Sequence, residues 1–445
     1  MNSNLVQPKS LSGVMELLPS EQILFDDMKQ KIENTFKSYG FLPIDTPSIE
    51  RADVLLAKAG GETEKQIYKF TKGDNDICLR FDLTVPLSKY VAANLNNLEF
   101  PFKRYQIGKS YRGEKAQKGR YREFYQCDID TIGKDNLSLK NDAEYPAIIY
   151  DIFKKLNVGD FVIYINNRKI VNGFFDSLGL VENKQEVMRL LDKYYKIGEE
   201  NVVLTLREDY KLPENTISKI LQFINLSGTN DQKLQQLNQL GIENQDFATG
   251  VFELEEVIKY IRMQGVPDAN FEINPCIVRG LDYYTGTVYE TYLRDYPNIG
   301  CVCGGGRYDN LASYYTDAKL PGVGVSIGLT RLFYQLNEQH LIKLNKTSVS
   351  DVLILPMDEM AIEKSYKIAN LLRNNGLNCQ LYVEDKKFKN KMSYADKLAI
   401  PYIAIIGEDE IKNGCVTIKN MFEHTQDAVL DDDLVNYINL QLNAK

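Results

Sequence analysis

Asp82 and Asp130 stand in stretches that alternate like strands, close to Gln126 and Arg112. In CLRFDLT (78–84), a period of two puts Leu79, Phe81 and Leu83 on one face and Arg80, Asp82 and Thr84 on the other. In EFYQCDIDTI (123–132), Phe124, Gln126, Asp128 and Asp130 share a face, with Tyr125, Cys127, Ile129 and Thr131 behind them. For any one of these residues an open, wet sheet face is an equal reading. As a group, polar residues from several strands, each backed by an apolar face, suggest the floor of a pocket. The acids suit a cationic or hydrogen-bond-donating ligand, and the arginines suit phosphate or carboxylate, which the planar guanidinium grips as a fork. RGLDYYTG places Arg279 at a strand end, followed by Tyr283 and Tyr284. The run Gly304–Gly306 reads as a tight, close-approach turn and matches neither the P-loop nor the GxGxxG pattern. Arg331 falls in the first turn of an expected helix, where a cation opposes the helix dipole and fits service to an anionic ligand.

Other chemistries are closed off. The chain has two histidines, His340 and His424, and seven cysteines with no CxxC. A histidine base, a multi-histidine metal and a thiolate zinc site are therefore not expected, nor is a disulfide framework. Chemistry must rest on Arg, Asp, Glu, Gln and Tyr. Net charge is −8, which does not advertise a nucleic-acid binder. Charge is uneven, however: Lys103, Arg104, Lys109, Arg112, Lys115, Lys118, Arg120 and Arg122 face one acid, Glu114, within 103–122. A local basic loop can meet phosphate while the whole chain stays acidic.

The 445 residues suggest about three domains. No apolar run approaches the ~20 residues of a membrane helix, and the N-terminus MNSNLVQPKSLSG has no apolar h-region, so a cytoplasmic protein is expected. Phe25, Met28, Ile32, Phe36 and Tyr39 predict an amphipathic helix over 20–39, capped by Ser20 and stopped by Gly40. In FLPIDTPSIE, Pro43 and Pro47 forbid helix and predict a sheet edge or an interface. Residues 102–132 read as a long hairpin with a basic turn at 113–122. Residues 168–263 read as a helical insertion, 271–293 as strands, and 339–349 as a linker. Beyond it, VLILPM, CQLYV, YIAII and CVTIKNM with two helices give a βαβαββ order and a small α/β domain.

With these motifs assembled, the sequence resembles the histidyl-tRNA synthetases, class II aminoacyl-tRNA synthetases, over about residues 8–440. TPSIE, with Pro47 and Glu50, resembles class II motif 1. YRGE followed by GRYREFYQCDID resembles motif 2, and GVGVSIGLTRL resembles motif 3. RGLDYYTGTVYE and GGGRYDNL resemble the histidine-specific signatures, and LRFDLT and YADKLAIPYIAIIGEDEIKNGCVTIKN also match. The resemblance implies an α+β fold: an antiparallel sheet flanked by helices, with a helical insertion and a C-terminal α/β anticodon-binding domain. The catalytic domain would span 1–167 and 264–338, the insertion 168–263, and the anticodon-binding domain 350–445. It implies that histidine and ATP form histidyl-adenylate and diphosphate, and that histidine then passes to the 3′ end of tRNA(His).

By that resemblance, Asp82, Leu83 and Thr84 bind histidine, with Asp82 and Thr84 on its α-ammonium. Asp130 and Tyr284 read the imidazole, while Tyr283 and Tyr308 close the pocket. Gln126 and Arg112 lie near the carboxylate and α-phosphate. Arg279 is the catalytic arginine, joined by Arg112. Arg331 faces the γ-phosphate and Glu114 the adenine or a magnesium ion, with Mg2+ expected on the ATP phosphates and no protein metal site assigned. Asp82 and Asp130 stand where family members often carry Glu. A homodimer through motif 1 is implied. The turn 113–122 would reach the acceptor stem. Lys386, Lys387, Lys389 and Lys391 would touch the anticodon stem or form the wet face of a helix. Non-catalytic relatives typically lack the C-terminal domain and often the catalytic arginine; here Arg279, Arg112 and Arg331 are all present.

Overall fold

The structure is a computed structural model that describes residues 6–57, 62–115, 119–180, 183–278, 284–342 and 347–443. Contacts divide the chain into two units, Met1–Met15 with Lys29–Ile342 and Glu16–Met28 with Lys343–Lys445. Helix α1 (Pro19–Ser38) follows from its apolar period: Phe25, Met28, Ile32 and Phe36 are buried and Tyr39 is half-buried. Ser20 lies inside the first turn instead of capping it, because Pro19 already suits the opening position. Gly40, at φ +78°, supplies the left-handed residue that ends the helix.

The chain continues through β1 (Leu42–Pro43), β2 (Ile49–Arg51), α2 (Ala52–Leu56), α3 (Glu62–Gln66), β3 (Lys69–Lys72), β4 (Asn75–Leu79) and α4 (Thr84–Ala93). Next come β5 (Phe102–Tyr111), β6 (Glu123–Ile132), α5 (Lys140–Leu156) and β7 (Phe161–Asn167). Seven helices follow: α6 (Arg168–Ser177), α7 (Lys184–Leu191), α8 (Tyr194–Ile197), α9 (Glu199–Glu208), α10 (Glu214–Ile224), α11 (Asn230–Gln239) and α12 (Gln245–Met263). The unit closes with β8 (Phe271–Ile273), β9 (Thr287–Leu293), β10 (Cys303–Tyr308), β11 (Gly322–Ile327) and α13 (Leu329–Glu338).

Eight strands form the main sheet, in the order β1-β5-β6-β11-β10-β9-β7-β8. Its interior pairs are antiparallel, and only the edge pairs β1·β5 and β7·β8 are parallel. Pro43 thus sits on an edge strand, where a missing N–H costs no ladder bond. On one face of the β5–β6 hairpin, Tyr105, Cys127 and Ile129 are buried; the Tyr105 ring meets Phe36 of α1 and its hydroxyl donates to Glu33. Helix α12 packs on α6, α5 and β7. Two glycines permit the close α6–α12 crossing: a Cβ on Gly173 would lie 2.5 Å from the Phe247 nitrogen, and one on Gly250 2.6 Å from the Ile170 nitrogen.

Two further readings from sequence, both in the first unit, are corrected. The strand in 78–84 ends at Leu79, and Thr84 already opens α4. Pro86 lies in the first turn of that helix, where no backbone N–H is required, and the Asp82 carboxylate accepts the Val85 N–H at 3.0 Å. Gly304–Gly306 is no turn: it lies inside β10, paired on both sides with β9 and β11. A Cβ on Gly305 would lie 2.0 Å from the Gly324 carbonyl oxygen, so crowding between strands demands the glycine there.

The second unit contains β12 (Val352–Pro356), α14 (Ala361–Asn374), β13 (Cys379–Leu381), α15 (Phe388–Lys397), β14 (Tyr402–Ile406), α16 (Glu408–Asn413), β15 (Cys415–Asn420), β16 (Gln426–Leu430) and α17 (Leu434–Asn443). Its sheet runs β13-β12-β14-β15-β16. Alternation along β12 splits the core: Val352 and Ile354 pack with residues of α14 and α17, Leu353 and Leu355 with Ala395 of α15. Lys391 is not on a wet helix face. It is buried, and its Nζ donates to the Pro356 carbonyl at 2.9 Å, whereas Lys386, Lys387 and Lys389 are exposed. Both histidines are exposed residues with positive φ, His340 just past α13 and His424 between β15 and β16.

Candidate active site

A cavity of about 320 Å³ opens on the polar face of the main sheet in the first unit. Asp82, Thr84, Arg112, Glu114, Gln126, Asp130, Tyr284, Tyr308 and Arg331 all line it. Leu83 is fully buried and is not among the lining residues. Arg279 and Tyr283 lie outside the described residues, as do Ala116 and Lys118 of the basic turn.

The lining comes from several elements. Asp82 and Thr84 come from the turn into α4. Arg112 follows β5; its Nε donates to the Phe81 carbonyl at 3.1 Å, and its guanidinium sits 5.0 Å from the centre of the Phe124 ring. These contacts fix the arginine without neutralising it. Gln126, on β6, donates through Nε2 to Ser326 on β11 at 2.8 Å, and its Oε1 has no partner among the described residues. Arg331 follows directly from Thr330, whose Oγ1 accepts the Tyr125 N–H at 2.8 Å and ties α13 to β6. Arg331 donates to the Ile299 carbonyl, and burial holds it below the usual arginine range. Glu114 lies 3.6 Å from Arg120, and both face the cavity.

The floor is acidic. Asp130 sits between Arg104 on β5 and Tyr308 on β10. Arg104 Nη2 lies 2.5 Å from Oδ2, and the Tyr308 hydroxyl donates to Oδ1 at 2.8 Å. The Arg104 contact is a close ion pair without the alignment of a hydrogen bond. Burial pushes the Asp130 carboxyl up to about 6, against the opposing pull of Arg104 and Tyr308. Asp128 also lines the cavity and is pushed up to about 7, chiefly by burial, with Arg104 and Ser326 opposing. Burial raises Asp82 too, against the Val85 N–H and Arg112. Three buried carboxylates therefore share one fully buried guanidinium. Such a floor favours a ligand that brings positive charge or N–H donors, while Arg112, Arg120 and Arg331 suit an anionic portion.

Sequence reasoning placed Asp128 on the right face without giving it a role, and counted Arg104 only as part of a basic run. The hairpin register was the available signal, since β5 and β6 pair Arg104 directly with Asp130. Among the described residues, no group of three or more His, Cys, Asp or Glu side chains is placed to hold a metal ion. No helix among them is long and apolar enough to cross a membrane.

Comparison with known proteins bears on this arrangement. The family model described as histidyl-tRNA synthetase matches residues 13–332. The chain belongs to the histidyl-tRNA synthetase family. An anticodon binding domain matches residues 351–440, which covers the strands and most of the helices of the second unit. The histidine–tRNA ligase of Clostridium tetani is 53% identical over 98% of this chain and 99% of its own length. That of Finegoldia magna is 48% identical over 97% of this chain and 99% of its own. The crystal structure of the histidyl-tRNA synthetase from Nostoc sp. PCC 7120 superposes with a TM-score of 0.91 at 39% identity, covering 98% of this chain and 100% of that one.

Proposed function

We propose that the cavity brings histidine and ATP together, with the acidic floor taking the amino acid and the arginines taking the phosphates. The chain is a ligase that activates L-histidine with ATP and charges tRNA. A carboxylate oxygen of histidine attacks the α-phosphorus, the bond to diphosphate breaks, and histidyl-adenylate forms. The tRNA 3′ hydroxyl then attacks the acyl carbon and AMP leaves. The first step needs no general base, because the attacking carboxylate is already an anion; positioning and charge stabilisation are what the protein contributes.

In this reading, Asp82 and Thr84 bind the α-ammonium, and Leu83 between them anchors that turn in the core. Asp130 and Tyr284 read the imidazole, and Tyr308 and Tyr283 close around it. Gln126 and Arg112 steer the carboxylate and α-phosphate, and Arg279 stabilises charge on that phosphate during attack. Arg331 takes the γ-phosphate. Glu114, a carboxylate lining the cavity, fits the one- or two-carboxylate support that Mg2+ takes when it arrives on ATP, and the ion would neutralise phosphate charge. We assign 1–167 and 264–338 to catalysis, 168–263 to a helical insertion and 350–445 to the anticodon arm of tRNA(His). The exposed Leu42 and Ile49 flank Pro47 near motif 1 and support a homodimer through that segment. Work in protein synthesis supports the cytoplasm as its place.

The buried Asp82, Asp128 and Asp130, set against cavity arginines, carry the site assignment. Amino-acid-dependent ATP–pyrophosphate exchange, run with each proteinogenic amino acid, tests it. Exchange with histidine alone is expected. Folded protein that binds tRNA but exchanges with none would overturn it.

A further inference from the structure

Asp130 sits mid-ladder, and three strands build its surroundings. Directly across on β5 is Arg104; directly across on β11 is Gly324. Each supplies something different. Gly324 supplies space, since a Cβ there would lie 2.1 Å from Asp130 Oδ1. Tyr308, from β10, supplies a donor to that same oxygen at 2.8 Å. Arg104 supplies charge at the other oxygen, at 2.5 Å.

Arg104 is 0% exposed and is not among the cavity-lining residues, so it does not meet the substrate. Its Nε and Nη1 have no hydrogen-bond partner among the described residues. Burying a guanidinium this poorly satisfied is costly, and core packing alone would favour an apolar side chain. Among the described residues, the other titratable groups facing Asp130 are Asp128 on its own strand, Asp82 from the turn before α4, and Tyr145 of α5, and none of these is a cation. Without Arg104, mutual repulsion and desolvation would hand Asp130 a proton. A protonated carboxyl would then present a hydroxyl where an imidazole N–H needs an acceptor.

We propose that Arg104 is a positioning residue for amino-acid recognition: without touching the substrate, it keeps Asp130 an anion and aims its carboxylate at the imidazole N–H. The proposal rests on the reading of Asp130 as the group that recognises the imidazole.

The test is a double-mutant cycle on the full chain, with wild type, Arg104→Gln, Asp130→Asn and the pair. Pyrophosphate exchange gives KM for histidine and for ATP, from about pH 6 to about pH 9. At neutral pH, Arg104→Gln is expected to raise the histidine KM roughly tenfold or more, with the ATP KM within about twofold. The histidine KM should recover as pH rises and Asp130 ionises unaided. In the Asp130→Asn background, Arg104→Gln should add nothing. A parallel rise in both KM values, a pH-independent effect, or full additivity would overturn the proposal. If Asp130→Asn raises the histidine KM and Arg104→Gln does not, this proposal alone falls. If Asp130→Asn leaves the histidine KM unchanged, the reading of Asp130 falls first and this proposal with it. Should Arg104→Gln fail to fold, Arg104→Lys carries the test, because an ammonium cannot reproduce the aim of the planar fork. A several-fold rise in its histidine KM with ATP unaffected supports the proposal, and an unchanged histidine KM overturns it.

Discussion

Asp128 and Asp130 stand two residues apart on β6, and burial lifts one carboxyl to about 7 and the other to about 6. An acid with a raised folded pKa binds its proton more tightly in the folded chain than in the unfolded one. Stability therefore falls as pH rises from the ordinary carboxylate range through the folded value. Asp128→Asn removes that liability. It is expected to raise the melting temperature of the enzyme by a few degrees at about pH 8, with the gain shrinking toward about pH 5. Scanning calorimetry at the two pH values checks this. Recognition runs the opposite way. As pH falls through about 6, Asp130 takes a proton and loses its strength as an acceptor, so the histidine KM should climb while the ATP KM stays level. Exchange kinetics at limiting histidine, compared with Asp130→Asn to separate the substrate imidazole's own titration, check this. At this scale the sequence was informative about residue type and face. It mistook what carries Asp82, because seven alternating residues mimic a strand. Pro86 was the clue that a helix begins there.

At the scale of elements, β10 and β11 are strands whose glycines exist for lack of room. Gly305→Ala would put a methyl 2.0 Å from the Gly324 carbonyl oxygen and 2.6 Å from the Val325 Cα. The obstacle is backbone on both counts, so β10 and β11 must part or the variant must fail. A marked drop in melting temperature or in soluble yield is expected, larger than for alanine at Gly328, where φ is −75° and the nearest atom lies 3.7 Å away. Thermal melts of the two variants make the comparison. The glycine run looked like a turn because glycine usually serves turns. Only the neighbouring strands, distant in sequence, reveal that the constraint is lateral crowding. The β5–β6 hairpin was legible from end to end because both strands alternate and a turn-rich segment separates them. In the second unit, α16, β16 and α17 were not anticipated. β16 buries only Val429 of its five residues, which leaves too weak a pattern to announce a strand.

Across the whole molecule, a net charge of −8 repels nucleic acid, so tRNA must be met by local basic segments. Lys115, exposed in the turn between β5 and β6, is expected to act on tRNA alone. Lys115→Ala should weaken tRNA binding and lower the slope of log affinity against log salt by about one. Histidine-dependent pyrophosphate exchange should be unchanged. Filter binding over a salt series, beside exchange kinetics, tests both halves of that statement. The grouping of Glu16–Met28 with the second unit was not legible, since α1 reads as one continuous amphipathic helix and its period says nothing of what each turn meets. The two histidines, both in exposed left-handed positions, hold one further implication. A ribosome starved of the charged tRNA that this enzyme supplies reaches its first histidine codon only at residue 340, after every strand of the main sheet has been translated. With two histidines in its sequence, each copy of the enzyme draws on its own product only twice, and both times after the main sheet has been made.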